Sequence, residues 1–164
     1  EIAKATGVRE VVRSNHGIFR RVDVDSALRQ PGVKITSLIP GRGRRLEWLQ
    51  SVVMGADLGI TGVDYGIAET GSCVIIPRAG ISRLVSLAPP VHIALVEPEQ
   101  ILENLDDLLA FRRLEYMQGR GKMPAYLNII SGPSRSADIE QTITIGVHGP
   151  GEVHLIVMPP REID

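Results

Sequence analysis

A single cysteine, Cys73, stands among 164 residues. It has no partner for an intrachain disulfide, and one thiol cannot ligate an iron–sulfur cluster, which needs four ligands. A reducing cytoplasm is the compartment that fits. No His-x-His, His-x-x-x-His or Cys pair occurs, so a dedicated zinc or iron site is not expected. Gly-x-G-x-x-Gly spacing is also missing, which removes a dinucleotide site of the ordinary kind. No apolar run reaches the roughly 18 residues that span a bilayer, and no signal peptide is visible, so no membrane insertion is expected.

Aromatic side chains are scarce as well. Trp48, Phe19, Phe111 and three tyrosines are the whole set, which leaves the core to Ile, Leu and Val. Positive charge is not in excess: the formal net charge is −1, against what a nucleic-acid binder usually shows. The short run GRGRR at 41–45 reads as a solvated basic loop. With 43% hydrophobic and 23% charged residues, the composition is that of an ordinary globular chain long enough to bury a real core.

The elements alternate. Residues 7–13, 33–39, 58–63, 72–77, 84–87, 92–96, 127–130 and 153–158 are short apolar segments bounded by Gly, Pro or Asp, the pattern of strands. A helical remnant at 1–6 precedes the first of them. Asp25 or Ser26 is placed to cap a brief helix ending at Pro31-Gly32. Leu46, Leu49, Val52 and Val53 have helical spacing. The clearest helix reads from Glu97-Pro98 to Gly119, with Ile101, Leu105, Leu108 and Leu109 on one stripe and acids in its early turns. A further helix is expected after residues 131–136, carrying Ile139 and Ile143. The whole predicts an α/β fold with a largely parallel sheet flanked by helices. An antiparallel strand-rich insertion is expected around 58–87, where there is no room for crossover helices.

Two stretches differ from the rest: 59–72 (GITGVDYGIAETGS) and 131–150 (SGPSRSADIEQTITIGVHGP). Each sets carboxylates, hydroxyls or an imidazole beside glycines that permit close backbone approach. In the first, Asp64 and Glu69-Thr70-Gly71 are candidates. A carboxylate there can serve as base, nucleophile or hydrogen-bond acceptor, or Asp64 can form an Asx-turn while Glu69 binds backbone N–H groups. In the second, Ser134, Arg135 and Ser136 offer hydroxyls and a planar fork for a carboxylate or phosphate at a helix N-terminus. Ser136 as N-cap, with Asp138 and Glu140 facing the dipole, accounts for the same residues structurally. His148 lies between glycines in a loop open to solvent or ligand, whereas His92 in its apolar strand fits a core position. His16 and His154 stand in no motif.

Together with 87–96 (LAPPVHIALV), these stretches resemble the LutC-type lactate-utilisation family, whose shared unit is the LUD domain. The resemblance runs from about Glu47 to Met158 with the motifs in the family's order, and it covers GPSRSADIE essentially complete. It implies one LUD domain over 1–164 with the Rossmann-like arrangement of the NagB/RpiA/CoA-transferase-like superfamily. It also implies that an N-terminal helical segment, normal in the family, is missing ahead of Glu1. In that family the domain works with iron–sulfur partner proteins in oxidising lactate to pyruvate. With one cysteine and no cofactor of its own, the chain is then an accessory or ligand-binding subunit, and a homo-oligomer is compatible. Glu69 within AETG is similar to the acyl-accepting glutamate of family I CoA-transferases, although Thr70 stands where their motif has asparagine. That leaves stand-alone acyl or carboxylate chemistry as one alternative, and a purely structural assembly module as another.

Overall fold

The computed structural model describes residues 2–39, 46–77, 81–119, 121, 123–124, 126–137 and 143–160. GRGRR, Asp138, Ile139 and Glu140 lie outside them. Helix α1 (Ile2–Ala5) leads to strand β1 (Glu10–Arg13), a 3-10 turn at Gly17–Arg20, helix α2 (Val24–Ala27) and strand β2 (Lys34–Ser37). Helix α3 (Leu46–Met54), strands β3 (Leu58–Gly62), β4 (Tyr65–Ile67) and β5 (Ser72–Ile75), and helix α4 (Ile81–Leu87) follow. Strands β6 (Val91–Val96) and β7 (Ile101–Leu102) precede helix α5 (Leu105–Gln118). Strands β8 (Asn128–Ile130), β9 (Arg135–Ala137), β10 (Ile143–Ile145) and β11 (Glu152–Val157) complete the order.

The main sheet runs β11-β6-β3-β1-β2, parallel at every pairing. Parallel strands bury both faces, and the side-chain alternation sorts the residues accordingly. Leu58, Ile60, Val91, Ile93, Leu95 and Val11 pack together on one face. Val12 packs with Val53, Ile81 and Val85 in a second cluster, and Val63, Ala94 and Val96 meet Cys73 in a third. Gly59 explains how closely α4 approaches: a Cβ there would stand 2.0 Å from the Val85 carbonyl oxygen.

The smaller sheet, β7-β4-β5-β8, is mixed. Its β4–β5 hairpin is the expected antiparallel insertion, and β8 extends it antiparallel while β7 adds parallel to β4. Ile67 and Val74 pack with Leu108 of α5 on its other side.

Four local readings change. Residues 84–87 end helix α4, not a strand, because Ile81 and Val85, one helical turn apart, are the pair that is buried. The helix expected from Glu97 begins later. Pro98–Gln100 is a 3-10 turn closed by a reciprocal Glu97–Gln100 capping box, Ile101 enters β7, and Asn104 caps α5 by accepting the Asp107 N–H. Asp23, not Asp25 or Ser26, caps α2 through the Ser26 N–H at 3.0 Å. Most consequential, Arg135–Ala137 is a strand paired antiparallel with Ile143–Ile145. β-branched Ile143, Thr144 and Ile145 favour that pairing over a helix. Strand β8 is present as expected, with its Ile129 46% exposed.

Candidate active site at the carboxyl edge of the sheet

Counting the parallel strands alone, the order is 2-1-3-4-5. The chain leaves β1 toward one edge for β2 and returns to the other side for β3. Ligands in open α/β sheets bind at the carboxyl ends of strands beside such a reversal. Here the two loops at that point carry His16 and Asp64.

His16 follows β1 by three residues. Its Nδ1 accepts the Ile18 backbone N–H at 3.3 Å and starts the 3-10 turn. That bond places the proton of the neutral ring on Nε2. The ring lies over Gly62 at the end of β3, where a Cβ would fall 2.0 Å from Nδ1 and 2.7 Å from the histidine Cβ. Only glycine leaves that seat open.

Asp64 follows β3. Its backbone N–H donates to Val74 O at 2.9 Å, and Ile76 N–H donates to Oδ2 at 2.7 Å. This bond reaches 12 residues along the chain and is not the local Asx-turn, one of the two readings the sequence allows for Asp64. The other oxygen, Oδ1, faces His16 Nε2 across 3.9 Å, with the two side chains 10% and 14% exposed. This is beyond hydrogen-bond length yet within ion-pair range.

Beside them opens a cleft of about 420 Å³ lined by His16, Gly17, Ile18, Arg20, Arg21 and Glu97. Arg21 donates to Glu97 Oε1 and to Pro159 O, both at 2.7 Å, and so ties the turn after β1 to the ends of β6 and β11. Arg20 is exposed and makes no ion pair with any described residue. A larger hollow of about 640 Å³, floored by Ile60, Ile93, Leu95 and Ile156, offers an apolar floor in contrast. Among the described residues no group of three or more His, Cys, Asp or Glu side chains is placed to hold a metal ion.

The two glycine-rich stretches do touch, through hydroxyls. Thr70 Oγ1, Ser72 Oγ and Ser131 Oγ form a chain with both links at 2.7 Å. Glu69 sits beside it at the exposed β4–β5 turn, where its backbone N–H donates to Glu103 O at 2.9 Å. Gly71 takes φ +64° to close that turn. No hydrogen bond or ion pair of the Glu69 carboxylate joins it to Arg135 among the described residues.

Ser134 and residues 146–150 of the second stretch lie at the opposite end of the main sheet. Ser134 N–H donates to Pro150 O at 2.9 Å, and His148 N–H reaches Ser134 Oγ at 3.3 Å. Gly151 N–H bonds Pro90 O, just ahead of β6. Six residues of β6 separate that edge from Asp64 and His16, about 20 Å of strand. Arg135 and Ser136 lie in the hairpin strand β9, Arg135 exposed and Ser136 half-buried. Among the described residues, Arg135 therefore stands in a strand and not at a helix N-terminus.

His92 is a core residue: fully buried, bonded through Nε2 to Thr61 Oγ1 at 2.9 Å, with burial pushing its pKa down to about 4. Burial likewise pushes the Cys73 thiol up to about 11. Neither is poised for chemistry at neutral pH. Of the residues at this edge, sequence reasoning singled out Asp64 as a candidate and did not single out His16, Arg20 or Glu97. The one available signal was that Ser-Asn-His-Gly directly follows an apolar strand; its meaning depends on strand order.

The fold and this edge define a doubly wound α/β domain with a ligand-type reversal point. Residues 7–158 match the LUD domain, and the chain belongs to that family. It is 34% identical over 155 residues to Lactate utilization protein C of Shouchella clausii, covering 94% of this chain and 65% of that protein. The corresponding protein of Halalkalibacterium halodurans is 33% identical over 153 residues, covering 93% and 64%. Bacillus subtilis Lactate utilization protein C is 36% identical over 106 residues, 65% of this chain and 44% of that protein. The chain thus spans just under two thirds of the length of the first two relatives. A DUF162 family protein from Deinococcus radiodurans, solved at 1.70 Å, shares the fold with a TM-score of 0.53. It is 24% identical, with 95% of this chain and 79% of that one covered.

Proposed function

We propose that this domain serves lactate utilisation as an accessory, ligand-binding subunit, working with iron–sulfur partner proteins that oxidise lactate to pyruvate. The carrying observation is the approach of His16 to Asp64 at the sheet's reversal point, with Gly62 leaving room for the imidazole and His16 lining the adjoining cleft. The relatives' names supply the metabolic setting. A lone cysteine, buried in the core, supports assigning electron transfer to partners. The ligand is a small carboxylate held at this edge, and the domain recognises it while the partners move electrons.

The test is purification of the tagged full-length protein from its native host grown on lactate, with mass spectrometry of co-purifying proteins. Cysteine-rich iron–sulfur subunits should accompany it at near-equal amounts. Recovery of the protein alone under gentle, low-salt conditions would sink the reading.

A further inference from the structure

Helix α5 turns much of its apolar surface away from the domain. Its inner side buries only Leu108 and Arg112. Leu108 packs against Ile67 and Val74 of the smaller sheet. Arg112 is bonded to Glu115, whose carboxylate also accepts the Tyr65 hydroxyl at 2.9 Å. These contacts fix the rotation of the helix about its own axis. At 3.6 residues per turn, Asp106, Leu109, Ala110, Arg113 and Met117 then form one outward stripe, spaced i, i+3, i+4, i+7 and i+11. The whole stripe is exposed, Leu109 at 63% and Met117 at 66%. Leu105 and Tyr116 border it on one side and Leu114 on the other, and these are exposed too. A helix that faces water carries polar residues at such positions, whereas apolar ones at this spacing make the seam of a helix pair.

The charges on the stripe say which helix completes the pair. Asp106 lies in the first turn, and Arg113 follows two turns later on the same line. Neither makes an ion pair or hydrogen bond with any described residue. That order of charge is complementary to its own reverse. A second α5 laid antiparallel, with a twofold axis between Leu109 and Ala110, sets Asp106 against Arg113 at both ends. Each Leu109 then meets Ala110 at the centre, where the small side chain lets the helix axes come within about 8–10 Å.

We propose that α5 is the interface of a twofold dimer of this chain, formed by the outward apolar seam and two Asp106–Arg113 ion pairs. The contact is isologous, the same stripe serving both copies. It shares no residue with the His16 cleft and needs no ligand.

The experiment is sedimentation velocity of the full-length protein over a range of concentrations, for the wild type, Asp106→Arg, Arg113→Asp and the double variant. Thermal transitions first establish that each variant is folded. The wild type should show a concentration-dependent dimer. Either single substitution sets like charges against each other at both ends, so self-association should weaken about ten- to a hundredfold. The double variant should restore it. A sharper arm mixes the two single variants. In the mixed pair one chain presents two cations on its stripe and the other two anions, so the mixture should dimerise where neither variant does alone. A wild-type protein that stays monomeric overturns the proposal, whether its stripe is bare or covered by another protein or another part of the chain. A dimer indifferent to both single substitutions also overturns it. So does a mixture that fails to recover the dimer, because the register is then not the antiparallel one.

Discussion

The imidazole of His16 occupies the space that a side chain at Gly62 would need, with ring and Cβ atoms 2.0 to 2.7 Å from the missing Cβ. Two loops far apart in sequence are thereby registered against each other at the reversal point of the sheet. Gly62→Ala must push the whole His16 residue away, since its own Cβ is among the clashing atoms. Overpacking of this kind costs about 1–3 kcal/mol. The expected outcome is a lower melting temperature together with lost affinity for the small carboxylate proposed above, read by thermal unfolding and calorimetric titration with lactate. Retained affinity would show that the seat is not needed.

Gly59 makes a different demand. There the obstacle is backbone, the Val85 carbonyl oxygen at 2.0 Å, so helix α4 as a whole must shift. Gly59→Ala should destabilise by about 3 kcal/mol, at the upper end for overpacking. Gly66→Ala is the matched control, because its new Cβ would meet only side-chain and Cα atoms at 3.4 Å or more. Urea midpoints of the two variants should differ clearly; equal midpoints would refute the packing argument.

Stability should fall on mild acidification because of His92. Its folded pKa, depressed by burial to about 4, lies below the ordinary value of 6.5, so the unfolded chain binds the proton more readily. The contribution is therefore complete above about pH 6.5 and is lost as pH falls toward 4. Between pH 7 and 5 the loss is about 2 kcal/mol by linkage. His92→Gln keeps a partner for Thr61 and removes the titration. Its denaturant midpoint should depend less on pH across that interval than the wild-type midpoint does.

Cys73 is 1% exposed, and its thiol is pushed up to about 11 by burial. Thiolate is the reactive form, so an aromatic disulfide reagent at pH 7.5 should label the folded protein very slowly. Addition of denaturant should release one equivalent at once. Fast labelling of the native protein would contradict the placement of β5 in the core.

Glu69 and Arg135 are exposed, one at a hairpin turn and one on a hairpin strand. Glu69→Gln and Arg135→Ala should each change stability within about 0.5 kcal/mol, as surface substitutions do. With the ligand at the reversal point, neither should alter affinity for lactate. A tenfold loss in either variant would bring the glycine-rich stretches back as part of the binding surface.

The α/β class, most strands and helix α3 were legible in residue order because apolar spacing and Gly, Pro and Asp boundaries are local. Spacing could not separate helix from strand over four apolar residues, as at Leu84 to Leu87, nor foresee that Arg135 to Ala137 would pair with Ile143 to Ile145. Those outcomes depend on what each segment packs against. His16 shows the limit most plainly. Its sequence neighbours carry no motif, and its significance comes from β1 and β3 lying side by side with Gly62 beneath the ring. Pattern and turn chemistry decided which elements form, since these act between residues a few positions apart. Strand order decided which loops face each other, since parallel pairing joins segments distant in the chain and only the folded sheet brings their ends together.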